Sequence, residues 1–239
     1  MSDSLFAMPS AEQTAAVDFA MSSRRSIRSY LPKEVDKKLI EELLAVASRA
    51  PSGTNIQPWK VYVLAGHEKR GLCSAIQTVF NDAELMKSAV DEYSYYPSQW
   101  VTPYIDRRRK VGWDLYGLLG IGKADKDKMR VQHSKNYDFF DAPIGLMFTI
   151  DRMMSQGSWL DYGMFLQNIM VAARARGLHT CPQAAFTQFH KTITEYLKCP
   201  GNEMLVCGMS LGYANPDAIE NSLVTEREPV AGFTQFRGF

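Results

Sequence analysis

Residues 23–30 read Ser-Arg-Arg-Ser-Ile-Arg-Ser-Tyr and crowd three arginines among serine hydroxyls, directly after a predicted helix over residues 12–23. Arginine forks match phosphate oxygens bidentately and keep their charge at any cellular pH. A serine hydroxyl adds one more donor. Arg24, Arg25, Ser26 and Arg28 are therefore candidate phosphate ligands, with an exposed and solvated basic turn as the alternative interpretation.

A second segment, residues 51–59, reads Pro-Ser-Gly-Thr-Asn-Ile-Gln-Pro-Trp and joins a predicted helix to a predicted strand. Prolines stiffen both ends, and Gly53 allows a close approach of the backbone to another group. The amides of Asn55 and Gln57 offer both donors and acceptors, which suits the edge of a planar heterocycle. An ordinary surface loop is the alternative interpretation.

The remaining pattern predicts an α+β chain, one domain over residues 1–239, with helices around a small mixed sheet. Asp36 is a predicted helix cap. Three strands are predicted, at 59–64, 144–150 and 203–211. Further helices are predicted after Asp36 and ending before Pro51, over 68–80 and 124–138, after Ser158, and over 188–198. The helix 12–23 is expected to have an apolar face formed by Ala16, Phe19, Ala20 and Ser23. Gly177 is expected to end the helix that follows Ser158, in a left-handed C-cap.

Two regions depart from this pattern. Residues 88–122 are an excursion rich in Tyr and Trp, which is typical of a lid or a binding element. Residues 213–239 form a tail with little periodicity, and so long a tail must lie on another surface, such as a partner subunit. Both are interpretations of composition rather than of a motif.

Composition excludes several classes of protein. The 239 residues are 46% hydrophobic and 22% charged, which argues against disorder, and a net charge of +1 argues against a nucleic-acid binder. No apolar run reaches the roughly 18 residues of a membrane span, and residues 1–6 lack the features of a signal peptide. Four cysteines without metal spacing and four scattered histidines predict free thiols, no metal site and a cytoplasmic location.

Several short motifs are set aside. Gly-Met-Ser-Leu-Gly at 208–212 matches the nucleophile elbow of serine hydrolases, but the following Tyr-Ala-Asn-Pro cannot open the required helix, so a strand end is predicted. No Gly-x-Gly-x-x-Gly follows a strand and no Walker lysine loop is present. The basic run 107–110 is interpreted as a solvated helix face.

Taken together and in this order, the segments 24–28 and 51–59 resemble the FMN-dependent nitroreductase superfamily, especially its nitrobenzoate and nitroarene reductases. Later markers are Pro-Gln-Ala-Ala-Phe at 182–186 and the strand end 208–213, which leads to Arg227. The resemblance covers nearly the whole chain. It implies the nitroreductase fold as a domain-swapped homodimer, with the C-terminal arm 213–239 on the partner.

The resemblance also implies roles for residues. Arg24, Arg25 and Ser26 match the segment that holds the FMN phosphate and ribityl chain, and Arg227 matches a basic residue that closes on the same phosphate. Arg28 matches the basic position near the pyrimidine end of the flavin. A cation there stabilises the negative charge that two-electron reduction places on the ring.

Three further segments have implied flavin contacts. The loop with Pro51, Ser52, Gly53, Asn55 and Gln57 is expected to reach the flavin from the other subunit. A second segment comprises Pro182, Gln183, Ala184 and Ala185. The backbone N–H groups of Ala184 and Ala185 are expected to face flavin N5, where many relatives carry Glu-Gly. Asn136, with Lys135, is a further expected pyrimidine contact.

The implied activity is ping-pong: NADH or NADPH passes hydride to flavin N5, and a nitroaromatic acceptor takes it from there. No catalytic side chain is identified, because solvent can supply the protons. The aromatic segment 93–116 is the candidate substrate wall, with core or dimer packing as the alternative. Rival functions are FMN-dependent dehalogenation, enone or quinone reduction, and flavin binding without turnover. The choice between NADH and NADPH stays open.

Overall fold

A four-stranded sheet lies at the centre of the molecule, which is a computed structural model that describes residues 7–239. The signal-peptide prediction rests on residues 1–6 and lies outside the described residues. The strands are β1 (Lys60–Ala65), β2 (Ile144–Asp151), β3 (His179–Gln183) and β4 (Glu203–Gly212), in the order β1-β2-β4-β3. The central strands β2 and β4 are almost wholly buried.

The predicted mixed sheet is wrong in one respect, because all three strand pairs are antiparallel. Within residues 7–239, the parallel pairing is an isolated bridge between Ser26 and Thr180. Strand direction follows from the connections between strands rather than from the sequence of any one strand, so the pattern alone does not determine it.

Two of the strands differ from the prediction. Strand β3 was not predicted, since it is short and contains Pro182, which lacks the N–H of a regular ladder. It lies at the sheet edge, where proline is tolerated. The segment 59–64 was predicted as a buried strand, but β1 is the opposite edge and buries only Leu64.

Nine α-helices surround the sheet within the described residues. They are α1 (Ala11–Ser23), α2 (Lys37–Ala47), α3 (Gly66–Asn81), α4 (Ala83–Met86), α5 (Tyr104–Leu118), α6 (Lys126–Ser134), α7 (Gln156–Ala175), α8 (His190–Tyr196) and α9 (Val230–Phe233). Short 3-10 segments follow α6, over Lys135–Asp141, and precede α8, over Ala184–Phe189. None of these helices is long and apolar enough to cross a bilayer.

Local signals position several helix ends as predicted. The carboxylate of Asp36 accepts a hydrogen bond from the Lys38 N–H at 2.8 Å, which caps α2. Gly177 adopts a φ of +74° after α7. The Gly177 N–H donates to the Arg174 carbonyl, and the Leu178 N–H donates to the Ala173 carbonyl. This pair of hydrogen bonds is the Schellman motif.

The predicted apolar face of α1 is only partly present. Of the four residues expected there, Ala20 alone is buried, and Phe19 is 54% exposed. The guanidinium of Arg174 covers the Phe19 ring at 4.6 Å.

The sheet separates two hydrophobic cores. On one face, α2 and α7 pack on β2 and β4, and Trp59 stacks on Phe165 with ring centroids 4.7 Å apart. On the other face, α3, α8 and the two 3-10 segments enclose an aromatic core around Tyr137, Phe139 and Phe186. The two cores hold the edge strand β3 in place, and β3 forms one side of the candidate site.

Candidate active site

A cavity of about 600 Å³ lies between the end of α1 and the chain at 223–227. Four arginines line it, together with Ser22, Ser26, Gln167 and Thr225, and within residues 7–239 no acidic side chain does. The arginines are Arg24, Arg25, Arg28 and Arg227. The structure therefore brings together the phosphate ligands proposed from both ends of the sequence. We name this site the arginine cavity.

The charge of the arginine cavity is uncompensated. Among the described residues, none of its four arginines lies within 4.0 Å of a carboxylate. Burial, and then the positive charge of Arg227, lower the pKa of Arg24. Two guanidinium groups that repel each other in a partly desolvated cavity favour an anion between them.

Backbone hydrogen bonds hold the arginine segment against the sheet. The Ile27 N–H donates to the Thr180 carbonyl at 3.1 Å, on the free edge of β3. The Arg28 N–H donates to Asn221 Oδ1 at 2.8 Å, and the Asn221 amide donates to the Ser29 carbonyl at 2.8 Å. Asn221 therefore joins the start of the tail to the arginine segment. Sequence reasoning missed it, because a single asparagine in an unpatterned tail gives no signal.

Two more cavity residues were missed for a similar reason. Gln167 is a polar position on the otherwise largely apolar α7, and Thr225 precedes Arg227 by two residues. The Arg227 guanidinium donates to Thr225 Oγ1 at 2.7 Å, which orients that side chain. The polar position on an apolar helix was the one available clue to Gln167.

Strand β3 connects the arginine cavity to the predicted segment 182–185. The thiol of Cys181 lies beside Ser26 and Arg28, and its burial raises its pKa. Pro182 and Gln183 end the strand, and Ala184 and Ala185 open the next 3-10 turn. The N–H groups of a first turn have no partner within that turn, so they are available to a ligand.

Asn136 joins this edge through Gln183. The Gln183 amide donates to the Asn136 carbonyl at 2.7 Å and lies 3.3 Å from Asn136 Oδ1. Gln183 is buried, and its Oε1 has no hydrogen-bond partner in the described chain. The predicted residues of 182–185 and Asn136 therefore lie together, although 46 positions and more separate them in sequence.

An apolar cavity of about 230 Å³ borders the same turn. Its walls include Tyr93 and Tyr95 of the aromatic excursion and Trp159 of α7, and none of the described residues lining it is charged. Pro182, Gln183 and Ala184 form another side. Part of the predicted substrate wall therefore faces a cavity, whereas Tyr96 and Trp100 stack on Arg108 at the surface.

The loop 51–57 lies outside the arginine cavity of its own chain. It is attached to α7 through the Gly53 N–H, which donates to Asp161 Oδ2 at 3.1 Å. Its residues other than Ser52 are exposed. Thr54, Asn55 and Gln57 adopt left-handed conformations, with φ between 49° and 61°. Left-handed conformations at residues other than glycine cost conformational free energy.

The basic run 107–110 is more than a solvated face. Arg107 pairs with Glu228, and Lys110 Nζ lies 3.7 Å from Glu226. These pairs attach residues 226–228 of the tail to α5 of the same chain and flank Arg227. Residues 229–239 leave large apolar side chains exposed, namely Val230, Phe233, Phe236 and Phe239.

The serine of the segment 208–212 has no role as a nucleophile. Ser210 is fully buried in β4 and its hydroxyl lies 3.0 Å from the Tyr30 hydroxyl. A Cβ at Gly208 would lie 2.4 Å from the Phe186 ring, so close packing requires glycine there. The prediction of a strand end with small residues is confirmed.

Comparison with known proteins settles the family. A family model described as the nitroreductase family matches residues 21–213. The chain belongs to the nitroreductase family. The resemblance stated from the motifs is confirmed, as is the nitroreductase fold.

Relatives with named activities cover nearly the whole nitroreductase chain. It is 42% identical to a 4-nitrobenzoate reductase of Pseudomonas putida, over 93% of this chain and 96% of that protein. Its structure resembles that of the FMN and NADPH-dependent nitroreductase NfnB of Sphigopyxis sp. strain HMH, with a TM-score of 0.88, 31% identity and coverage of 93% and 99%. The FMN-dependent NfnB of Mycobacterium smegmatis, solved with NADPH, gives a TM-score of 0.88 at 27% identity, with coverage of 94% and 99%.

Proposed function

We propose that this chain is an FMN-dependent nitroreductase that reduces nitroaromatic compounds with electrons from NADPH or NADH. The observation that carries the proposal is the arginine cavity, with four arginines and no carboxylate. The FMN phosphate is a dianion of suitable charge for it. The named activities of the relatives support the nitroaromatic acceptor.

The residues present fit FMN at both ends. The repulsion between Arg24 and Arg227 is relieved by a bound phosphate, and the unpartnered Oε1 of Gln183 marks an incomplete polar site at the edge of β3. Bound FMN would supply two-electron redox chemistry between a nicotinamide and an acceptor. The protein's part is to bind and orient it and to adjust its charge.

The proposal gives each segment a role. Arg24, Arg25, Ser26 and Arg227 bind the phosphate, and Arg28 provides positive charge toward the ring. The N–H groups of Ala184 and Ala185 donate to the ring edge, beside Pro182, Gln183 and Asn136. Alanine at 184 and 185 keeps the backbone donors but adds no carboxylate, so the polarity of that edge differs from that of relatives with Glu-Gly.

The aromatic acceptor is proposed to bind in the apolar cavity beside Ala184. Tyrosine and tryptophan rings stack on electron-poor aromatic rings. The absence of charge from the cavity lining favours the aromatic ring over any carboxylate as the part that enters. The acceptor's charged groups would then remain toward solvent.

The working unit is proposed to be a homodimer. The loop with Pro51, Ser52, Gly53, Asn55 and Gln57 would complete the flavin site of the partner, and the apolar end of the tail would lie on that partner. Exposed apolar side chains support this, namely Phe19 on α1, Leu160 and Met164 on α7, and Phe233 and Phe236. A fully flavinated monomer at low concentration would contradict the dimer. The four free cysteines fit the proposed cytoplasmic location.

Acceptor profiling tests the proposed activity. With FMN bound and NADPH in excess, kcat/KM is expected to be higher for 4-nitrobenzoate than for a halogenated phenol, an enone or a quinone. NADPH oxidation without acceptor serves as the control. A higher value for any of the other acceptors would assign the chain to another reductase of the same family. Flavin binding with no NADPH oxidation would make it a binding protein.

A further inference from the structure

Residues 88–103 lie between α4 and α5 with no helix or strand, and yet side chains fix their first part firmly. The Thr187 hydroxyl donates to Asp91 Oδ1, and the Tyr93 hydroxyl donates to the Val206 carbonyl at 2.5 Å. Between them, the Glu92 carboxylate pairs with Arg152 and lies 3.2 Å from Nδ1 of His190. Three successive residues are therefore anchored to the body of the molecule.

Glu92 is the most buried acid of this segment. Its side chain is 13% exposed, with Oε1 2.5 Å from Arg152 Nη1 and Oε2 3.2 Å from His190 Nδ1. No well-aligned hydrogen bond reaches Oε2 in the described chain. Arg152 follows β2 and is fixed in turn, because its Nε donates to the Gly201 carbonyl at 3.0 Å. We name Glu92, Arg152 and His190 the Glu92 clamp.

The clamp is linked to the turn that borders the apolar cavity. His190 begins α8, directly after the 3-10 segment that opens with Ala184. The Thr187 hydroxyl lies within hydrogen-bond distance of both Asp91 Oδ1 and the Ala184 carbonyl, at 2.5 and 2.7 Å. Thr187 therefore connects Asp91, beside the clamp, to the Ala184 turn.

The residue after the clamp forms the cavity wall. The Tyr93 ring packs against Trp159 with centroids 4.7 Å apart, and Tyr93 and Tyr95 both line the apolar cavity. Glu92 itself does not line that cavity. It can act on an acceptor only through the position of these rings.

We propose that Glu92 is a positioning residue that sets the distance between the aromatic wall and the Ala184 turn, and so determines affinity for an aromatic acceptor. The inference rests on the proposed function, because the cavity is taken as the acceptor site. Glu92 is largely buried although Arg152 is 45% exposed, so the pair holds geometry because breaking it leaves the buried carboxylate without a partner. Misplacement of a reacting partner by about 1 Å can cost about 100-fold in rate.

The test compares Glu92→Ala and the isosteric Glu92→Gln with a control, Glu84→Gln, which removes an exposed ion pair to Lys87 on α4. Each holoenzyme is assayed with 4-nitrobenzoate and with ferricyanide, a small acceptor that takes electrons without occupying an aromatic pocket. Glu92→Ala is expected to lower kcat/KM for 4-nitrobenzoate about tenfold, mainly through KM. Ferricyanide turnover, FMN affinity and flavin reduction by NADPH should stay unchanged.

Amide hydrogen exchange gives a readout that does not depend on activity. Exchange over residues 88–103 should rise in Glu92→Ala and less in Glu92→Gln, with no change in Glu84→Gln. An equal fall with both acceptors, or unchanged exchange over 88–103, would overturn the proposal. If wild-type protein binds FMN and reduces ferricyanide but no nitroarene, the proposed function fails, and the exchange result still decides the clamp. Arg152→Met removes the same pair from the partner side if Glu92→Ala does not fold.

Discussion

Replacing Arg24 by alanine is expected to weaken FMN binding by about 10- to 150-fold, the equivalent of about 1.5–3 kcal/mol for one hydrogen bond to a charged group. Arg24 is partly buried in a cavity that contains no acid, so no carboxylate of the described chain offsets its charge. Titration of the apo protein with FMN, followed by flavin fluorescence, measures the change.

The same substitution separates binding from folding. Burial and Arg227 lower the pKa of Arg24, so its charge is repelled in the absence of an anion. Arg24→Ala is therefore expected to leave the Tm of the apo protein unchanged or higher, while it reduces the Tm increase that FMN produces. Arg70→Ala, at an exposed position of α3, is the matched control. Unchanged FMN affinity in Arg24→Ala would remove Arg24 from the phosphate site.

Replacing Glu203 by alanine is expected to lower the free energy of unfolding by about 3 kcal/mol, since it leaves buried polar groups without partners. The Glu203 carboxylate is 5% exposed at the start of β4. It accepts hydrogen bonds from Thr149 Oγ1 at 2.6 Å, the Tyr62 hydroxyl at 2.8 Å and Lys60 Nζ at 3.0 Å. Because Lys60 is 42% exposed, its ion pair with Glu203 contributes little to the free energy of unfolding. Urea denaturation measures the loss, and Glu195→Ala on the surface of α8 is the control.

The pH dependence of the Glu203 contribution has a definite sign. Burial alone would raise the pKa of Glu203, but hydrogen bonds from Thr149, Tyr62 and Lys60 hold it below its usual value. A carboxylate with a lowered folded pKa stabilises fully above the unfolded pKa of about 4.3, and loses this as pH falls through the folded pKa. The stability difference between wild type and Glu203→Gln should therefore shrink below about pH 4. A difference that is constant from pH 7 to pH 3 would contradict this role.

The sequence predicts well what short-range chemistry controls. Asp36 caps α2 and Gly177 ends α7 because each acts on N–H or carbonyl groups within a few residues. The two central strands were predicted because both of their faces are buried, which produces continuous apolar runs. The edge strand β3 lacks such a run, and the proline within it conceals it further.

The candidate site was harder to predict from local pattern. Arg24 and Arg227 approach each other through tertiary contacts, among them the bridge to β3 and the hydrogen bond of Asn221, and neither segment alone indicates this. The resemblance to a family supplied the pairing instead. The ion pairs of Arg107 and Lys110 with the tail were equally hidden, since their partners are more than 100 positions away.

The exposure of Phe19 on α1 shows a different limit. The spacing of Ala16, Phe19 and Ala20 predicted an amphipathic helix, but the apolar side chains of α1 do not gather on one face, and Phe19 remains in solvent. The same holds for Phe233 and Phe236 in the tail. An apolar pattern indicates which residues are suited to burial, but it does not indicate which chain buries them.

The most direct test of the central claim is an anaerobic spectrum of the protein reconstituted with FMN. Addition of NADPH or NADH should bleach the flavin absorbance, and addition of 4-nitrobenzoate should restore it. That cycle would establish the flavin, the electron donor and the nitroaromatic acceptor in one sample. A protein that cannot retain FMN after reconstitution, despite four cavity arginines that pair with no carboxylate of residues 7–239, would contradict the account at its base.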